Sequence, residues 1–174
     1  MLGHEETNFT KTTQPGIITD YDHYDLAQNK YAVVSILRSA ESMAHVGPIL
    51  HENGFSFGKI LIQRNEESKE KEAKLFYKKL PKDIKDRIVF VVDNMLGTGG
   101  SLCCALKEIV NCGVPIENIR FLNVLCCEEG IKKVQSQYPE LRIFTAQIDP
   151  ILNENKYIVP GLGDFGDRYY NTSM

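Results

Sequence analysis

Apolar residues follow two distinct periods along this chain. YAVVSIL (Tyr31–Leu37) is a β-branched run with the length of a buried strand. KILIQ (59–63), LFYKKL (75–80), RIVFVVD (87–93), IRFLNVLC (119–126) and LRIFTA (141–146) read as further strands. Residues 42–52 read as helical through Met43, Val46, Ile49 and Leu50, with Pro48 shifting the start or kinking the helix. The clearest helix starts at Ser101. There Leu102, Ala105, Leu106, Ile109 and Val110 fall at offsets 0, 3, 4, 7 and 8, one face of a 3.6-residue period. Gly113 is placed to end it and Pro115 follows. A second amphipathic helix carries Glu128 and Glu129 in its first turn, where the dipole favours anions, and Ile131, Val134 and Tyr138 on its apolar face. Strands alternating with helices predict an α/β domain with a mostly parallel sheet flanked by helices. Ligands of such folds sit at the carboxyl ends of the strands.

The polar stretches divide the chain. Residues 1–14 are aperiodic and read as loose, and residues 17–26 read as an extended arm, so residues 1–30 form a tail with an arm. The folded domain is expected over residues 31–174. RNEESKEKEAK (64–74) is almost wholly charged and cannot offset its ordering entropy by burial. It reads equally as a flexible lid or as a solvated hairpin. Residues 148–174 contain Pro160, Gly161, Gly163 and Gly166 and are expected to be irregular.

Composition narrows the class. The 174 residues suit one domain, 43% of them are hydrophobic and 25% charged, as in a soluble globular protein. Twenty Lys plus Arg against 23 Asp plus Glu give a net charge of −3, which argues against a strong positive field for nucleic acid. No apolar run approaches a membrane span, and MLGHEETNFT has no secretory signal, so a cytoplasmic location is expected. Cys103, Cys104, Cys112, Cys126 and Cys127 are odd in number and lack zinc or redox spacing, so free thiols in a reducing compartment are expected. His4, His23, His45 and His51 show no ligand spacing.

The chemistry concentrates in VVDNMLGTGGSL (91–102). A buried strand ends in Asp93, a short loop reaches Thr98, Gly99, Gly100 and Ser101, and a helix begins. Unpartnered backbone N–H groups at that helix start, with the helix dipole, form an anion seat. The glycines let a phosphate approach the backbone, and Thr98 and Ser101 add hydroxyl donors. A carboxylate at Asp93, one loop's reach away, suits the vicinal hydroxyls of a sugar whose 5-phosphate occupies the seat. The Gly-Lys-Ser/Thr ending of a Walker loop and the Gly-x-Gly-x-x-Gly dinucleotide pattern are both absent.

That segment resembles the phosphoribosyl-pyrophosphate loop of the type I phosphoribosyltransferases. SILRSAESM (35–43) resembles the pyrophosphate loop of uracil phosphoribosyltransferases, GKILIQRNEES (58–68) their flexible-loop entry, and YIVPGLGDFGDRYY (157–170) their uracil-binding hood. The resemblance runs from Tyr31 to Tyr170 in the same order. It implies the type I phosphoribosyltransferase-like fold, with a flexible loop and a C-terminal hood over residues 148–170. It implies transfer of 5-phosphoribosyl from its pyrophosphate donor to uracil, giving UMP and pyrophosphate. The donor would meet Asp93, Asn94, Met95, Leu96, Gly97, Thr98, Gly99, Gly100 and Ser101. Arg38 and Arg64 would contact pyrophosphate, a polyanion suited to guanidinium forks. Asp164 would act near pyrophosphate and Mg²⁺ through water, with no residue holding the metal directly. Ile158, Gly163, Asp164 and Phe165 would present groups to uracil. The resemblance also implies a homodimer or higher homo-oligomer, admits GTP as an effector, and leaves no role for nucleic acid or membrane.

Each residue has a second reading. Arg38 could be a surface residue, Arg64 could pair with Glu66 or Glu67, and Asp164 could cap a turn. Asp167 and Arg168 read as a structural ion pair or turn. Glu41 supports the pyrophosphate loop or a helix N-terminus. The sequence departs from the family's pattern at Asn94, where Pro is usual, and at Gly97, where Ala is usual, and the family's helical N-terminal stretch is not seen. Two other functions fit the same fold: a regulatory RNA- or nucleotide-binding protein, and a catalytically silent partner subunit.

Overall fold

The computed structural model describes residues 12–14, 17–19, 30–46, 54–64 and 73–172. A short antiparallel pair, β1 (Thr12–Gln14) and β2 (Ile17–Thr19), lies in the tail, so residues 12–14 are extended and paired where a loose chain was expected. The rest of the expected arm, Pro48 and residues 65–72 of the charged segment lie outside the described residues.

The main sheet has seven strands among the described residues. These are β3 (Tyr31–Leu37), β4 (Ser56–Arg64), β5 (Ala73–Lys79), β6 (Ile88–Val92), β7 (Met95–Leu96), β8 (Ile119–Cys127) and β9 (Arg142–Asp149). The order is β5-β4-β3-β6-β8-β7, with β9 also paired to β8. Only the β4–β5 pair is antiparallel. The parallel part has helices on its faces for a physical reason: β-branched runs such as Val33–Val34 and Val91–Val92 bury both faces of the sheet.

Helix α1 (Gly100–Val110) buries Leu102, Ala105, Leu106 and Ile109, as the 3.6-residue period requires. They pack on Val34, Ile36, Ile60, Val89, Val91 and Phe121. Burial of each large aliphatic side chain contributes about 1.5–3 kcal/mol. Helix α2 (Glu128–Gln137) adds the fully buried Val134 to the same cluster. A smaller cluster of Val33, Ala40 and Val92 with Phe55, Phe57, Phe90 and Leu122 covers the other face.

The segment read as a helix over 42–52 instead begins at Ser39, as a 3₁₀ helix through Val46. Its residue Ala40 is wholly buried against the sheet, an anchor that the apolar period of residues 42–52 did not include. The tail is more ordered than its glycines suggested. It contains a short antiparallel pair, β10 (Ile151–Leu152) with β11 (Ile158–Val159), and helix α3 (Phe165–Tyr170). Ile158 is buried with Leu125, Cys127, Leu152 and Leu162, so the tail has an apolar anchor. Asp149, buried at the end of β9, accepts the Gly161 amide at 2.8 Å and fixes the following turn. Among the described residues no helix is long and apolar enough to cross a membrane, and all five cysteines are free.

Candidate active site

A cleft of about 640 Å³ opens where β6 ends. Ser39, Asp93, Met95 and Gly97 form one wall. Lys156, Tyr157 and Ile158, together with Gly163 to Gly166, form the other. Its size falls within the ordinary range of small-molecule sites. The sequence expectation that a ligand site lies at the carboxyl ends of parallel strands therefore has a matching cavity.

Asp93 follows the last residue of β6, and its amide donates to the Leu122 carbonyl at 3.2 Å. Its carboxylate Oδ1 accepts from Ser39 Oγ at 2.7 Å. Asn94 is buried, and its Nδ2 donates to Ser42 Oγ at 2.8 Å. The loop after β6 is thus tied twice to the 3₁₀ helix. The Asn94 carbonyl accepts from both Val124 and Leu125 amides. Met95 and Leu96 form β7, a strand within what reads as loop, because they pair with Leu125 and Cys126 of β8. Leu96 turns into the core. Side chains of Asn94 and Leu96 therefore serve the loop's shape.

Gly99 is the N-cap of α1 at φ +78°, and no side chain caps the helix start. The first amides of α1 thus meet no capping group, the arrangement that accepts an anion. Thr98, Gly99, Gly100 and Ser101 surround this helix start and are not among the residues lining the cleft itself. The loop also leans on α2. A Cβ on Gly130 would stand 2.2 Å from the Gly97 carbonyl oxygen and 3.1 Å from that of Leu96. Since backbone must move to relieve this, Gly130→Ala is expected to destabilise the protein by about 1–3 kcal/mol, read as a lower urea midpoint with unchanged slope.

The opposite wall is set by α3. Asp164 is its N-cap and accepts the Asp167 amide at 2.9 Å, so the turn-capping role holds while the residue lines the cleft. Phe165 stacks on Tyr169 with ring centroids 5.6 Å apart.

Arg38 directly follows β3. It lines a second cavity of about 550 Å³, with Glu41, Gln63 and Tyr170, and not the cleft of Asp93. Its Nη2 donates to Asp167 Oδ1 at 2.6 Å and its Nη1 to Thr172 Oγ1 at 3.1 Å. Asp167 was read as a structural ion-pair partner and is one, but toward Arg38, while Arg168 donates to the Leu162 carbonyl. The hydrogen bonds from Arg38 and then Thr172 hold the Asp167 carboxyl below its ordinary range. Glu41 pairs with Lys59 of β4 at 3.0 Å and stands in the first turn of the 3₁₀ helix, which fits its reading as a helix N-terminal charge. Arg64 ends β4, and its side chain lies outside the described residues. Its neighbour Gln63 lines both cavities.

Sequence reasoning did not single out Ser39, Gln63, Lys156 or Tyr157. Ser39 and Tyr157 sat inside quoted motifs, which was the available signal. Gln63 likewise sat inside the quoted segment 58–68, whereas Lys156 carried no signal.

Comparison with known proteins shows the family and the fold. The family model described as uracil phosphoribosyltransferase matches residues 2–172. The chain is 52% identical over 141 residues to the uracil phosphoribosyltransferase of Saccharomyces cerevisiae, covering 81% of this chain and 64% of that protein. A solved structure from Aquifex aeolicus superposes with a TM-score of 0.78 at 30% identity, covering 96% of this chain and 76% of that one. The hypoxanthine phosphoribosyltransferase of Trypanosoma cruzi superposes with a TM-score of 0.51 at 12% identity, over 71% of this chain and 64% of that one, a likeness of fold alone. The chain spans 62% to 66% of the length of six curated uracil phosphoribosyltransferases it matches.

Proposed function

The chain belongs to the uracil phosphoribosyltransferase family, and from that premise we propose that it transfers the 5-phosphoribosyl group of phosphoribosyl pyrophosphate to uracil, giving UMP and pyrophosphate. The observation that carries the reading is one cleft between Asp93 and the α3 wall, beside the uncapped start of α1. A sugar phosphate fits this division. The 5-phosphate takes the amides of Thr98 to Ser101, the ribose hydroxyls take Asp93, and the base takes backbone groups of Ile158 and Gly163 to Phe165.

The bond that breaks joins C1 to pyrophosphate, and the bond that forms joins C1 to N1 of uracil, whose proton leaves. No protein nucleophile is needed. The chain's work is to orient both reactants and stabilise charge on the leaving group. Asp164, in the cleft wall, faces that leaving group through water. Arg38 and Arg64 supply guanidinium charge at its edges.

Mg²⁺ fits this donor set. Asp93 and Asp164 offer two hard carboxylates in the cleft. That pattern suits an ion that keeps waters and is shared with substrate phosphates. When bound, Mg²⁺ neutralises leaving-group oxygens.

A homodimer belongs to the same proposal. Val124 on β8 and Phe144 and Ile148 on β9 are apolar and about half exposed. Exposed apolar residues such as these are of the kind a second copy covers. The free thiols support a cytoplasmic location. GTP as an effector rests on the resemblance alone.

Purified protein is expected to form UMP from uracil, phosphoribosyl pyrophosphate and Mg²⁺, followed by chromatography. A folded protein that forms no UMP overturns the reading.

A further inference from the structure

We propose that Asp167 is a positioning residue that couples the base wall of the cleft to the pyrophosphate loop through Arg38. The proposal rests on the transferase reading of the cleft. Helix α3 begins in that wall, with Asp164 and Phe165 lining it. Further along the same helix, Asp167 turns away and binds Arg38 at 2.6 Å. Thr172 closes a triangle, accepting from Arg38 Nη1 at 3.1 Å and donating to Asp167 Oδ1 at 2.8 Å.

Two further contacts fix the same arginine. Its guanidinium carbon lies 5.5 Å from the Tyr170 ring centroid, and the Tyr170 hydroxyl donates to the Arg38 carbonyl at 3.2 Å. A Cβ on Gly166 would meet Nη2 at 2.9 Å, so the guanidinium rests on a bare Cα. Side chain and main chain of Arg38 are therefore both held by the helix that carries the base wall. The next residue, Ser39, donates to Asp93 in the cleft at 2.7 Å. A continuous path of contacts runs from Phe165 and Asp164 through Asp167, Arg38 and Ser39 to Asp93.

This assembly is poorly explained as a stability device. The Arg38 and Asp167 side chains are 49% and 39% exposed, and ion pairs so exposed contribute little. Its geometric effect is specific. An anion that orders Arg38 and Ser39 also orders α3, and a base that orders the α3 wall also orders the anion's loop. Linkage makes that coupling reciprocal. Two guanidinium donors are engaged by Asp167 and Thr172, leaving three of the five for an anion, so the clasp and the anion are compatible.

Calorimetric titration of uracil, with and without a carbocyclic phosphoribosyl pyrophosphate analogue that cannot transfer its pentose, tests the proposal. In the wild type the analogue is expected to tighten uracil about tenfold, equivalent to about 1.4 kcal/mol of coupling. In Asp167→Asn the tightening is expected to fall below about twofold. Affinity for each ligand alone should stay within about threefold, and the thermal midpoint should be unchanged. Asp167→Glu should restore part of the coupling, and Thr172→Val should lower it about threefold if Asp167→Asn does not fold. Full coupling in Asp167→Asn or Thr172→Val overturns the proposal, as does a wild type that binds both ligands without coupling. A wild type that binds neither ligand overturns the transferase reading, and this proposal with it.

Discussion

With uracil and cytosine in competition, UMP is expected to form roughly 10⁴-fold faster than CMP. Uracil presents O2 as an acceptor, N3–H as a donor and O4 as an acceptor. Cytosine turns N3 into an acceptor and replaces O4 with a donor amine. Ile158 is 5% exposed, and it and Gly163 to Phe165 border the cleft. Backbone N–H and C=O groups cannot exchange roles, so cytosine would leave desolvated groups facing like groups. The reading edge is also held still, by the β10–β11 pair and by the Asp149 carboxylate on the Gly161 amide. Phe165→Ala removes the stack on Tyr169 and is expected to weaken uracil binding, yet keep the preference for uracil. Both nucleotides are measured chromatographically from one mixture. Comparable CMP formation, or a lost preference in Phe165→Ala, means that the base is read by something other than this backbone.

Asp93→Asn is expected to lower kcat/KM more than tenfold, a loss of about 1.4 kcal/mol or more of transition-state stabilisation. Asparagine keeps the shape and can still accept from Ser39 Oγ through its carbonyl, so the tie to the 3₁₀ helix survives. What disappears is the negative charge proposed to receive the ribose hydroxyls. The thermal midpoint should therefore stay close to that of the wild type while turnover falls. Unchanged steady-state turnover would remove Asp93 from the ribose site.

Helix α1 and the parallel strands β3, β6 and β8 were legible in the sequence because their signal is local. A 3.6-residue period or a β-branched run is generated by burial of one element's own face. The segment Asp93 to Ser101 was legible for a similar reason. An acidic strand end, consecutive glycines and a strong helix are neighbours in sequence, and they predict a strand, a loop and an uncapped helix start without any distant contact.

Elements whose conformation depends on remote partners were not legible in this way. Met95 and Leu96 form a strand only because β8 presents Leu125 and Cys126 beside them. The tail, rich in glycine, gains order from contacts reaching back to Asp149, Leu125 and Cys127. The 3₁₀ helix starts at Ser39 because Ala40 meets the sheet and Ser39 meets Asp93, neither of which a helical period records.

Arg38 shows the division most sharply. By itself the sequence determined that a permanently charged fork stands at the carboxyl end of β3, next to a serine and inside a loop suited to an anion. Only the tertiary structure decided which way that fork points, because Asp167 and Thr172 lie 129 and 134 residues away. A side chain's charge is fixed by its chemistry, but its direction is fixed by the nearest opposite charge, and that neighbour exists only once the chain has folded.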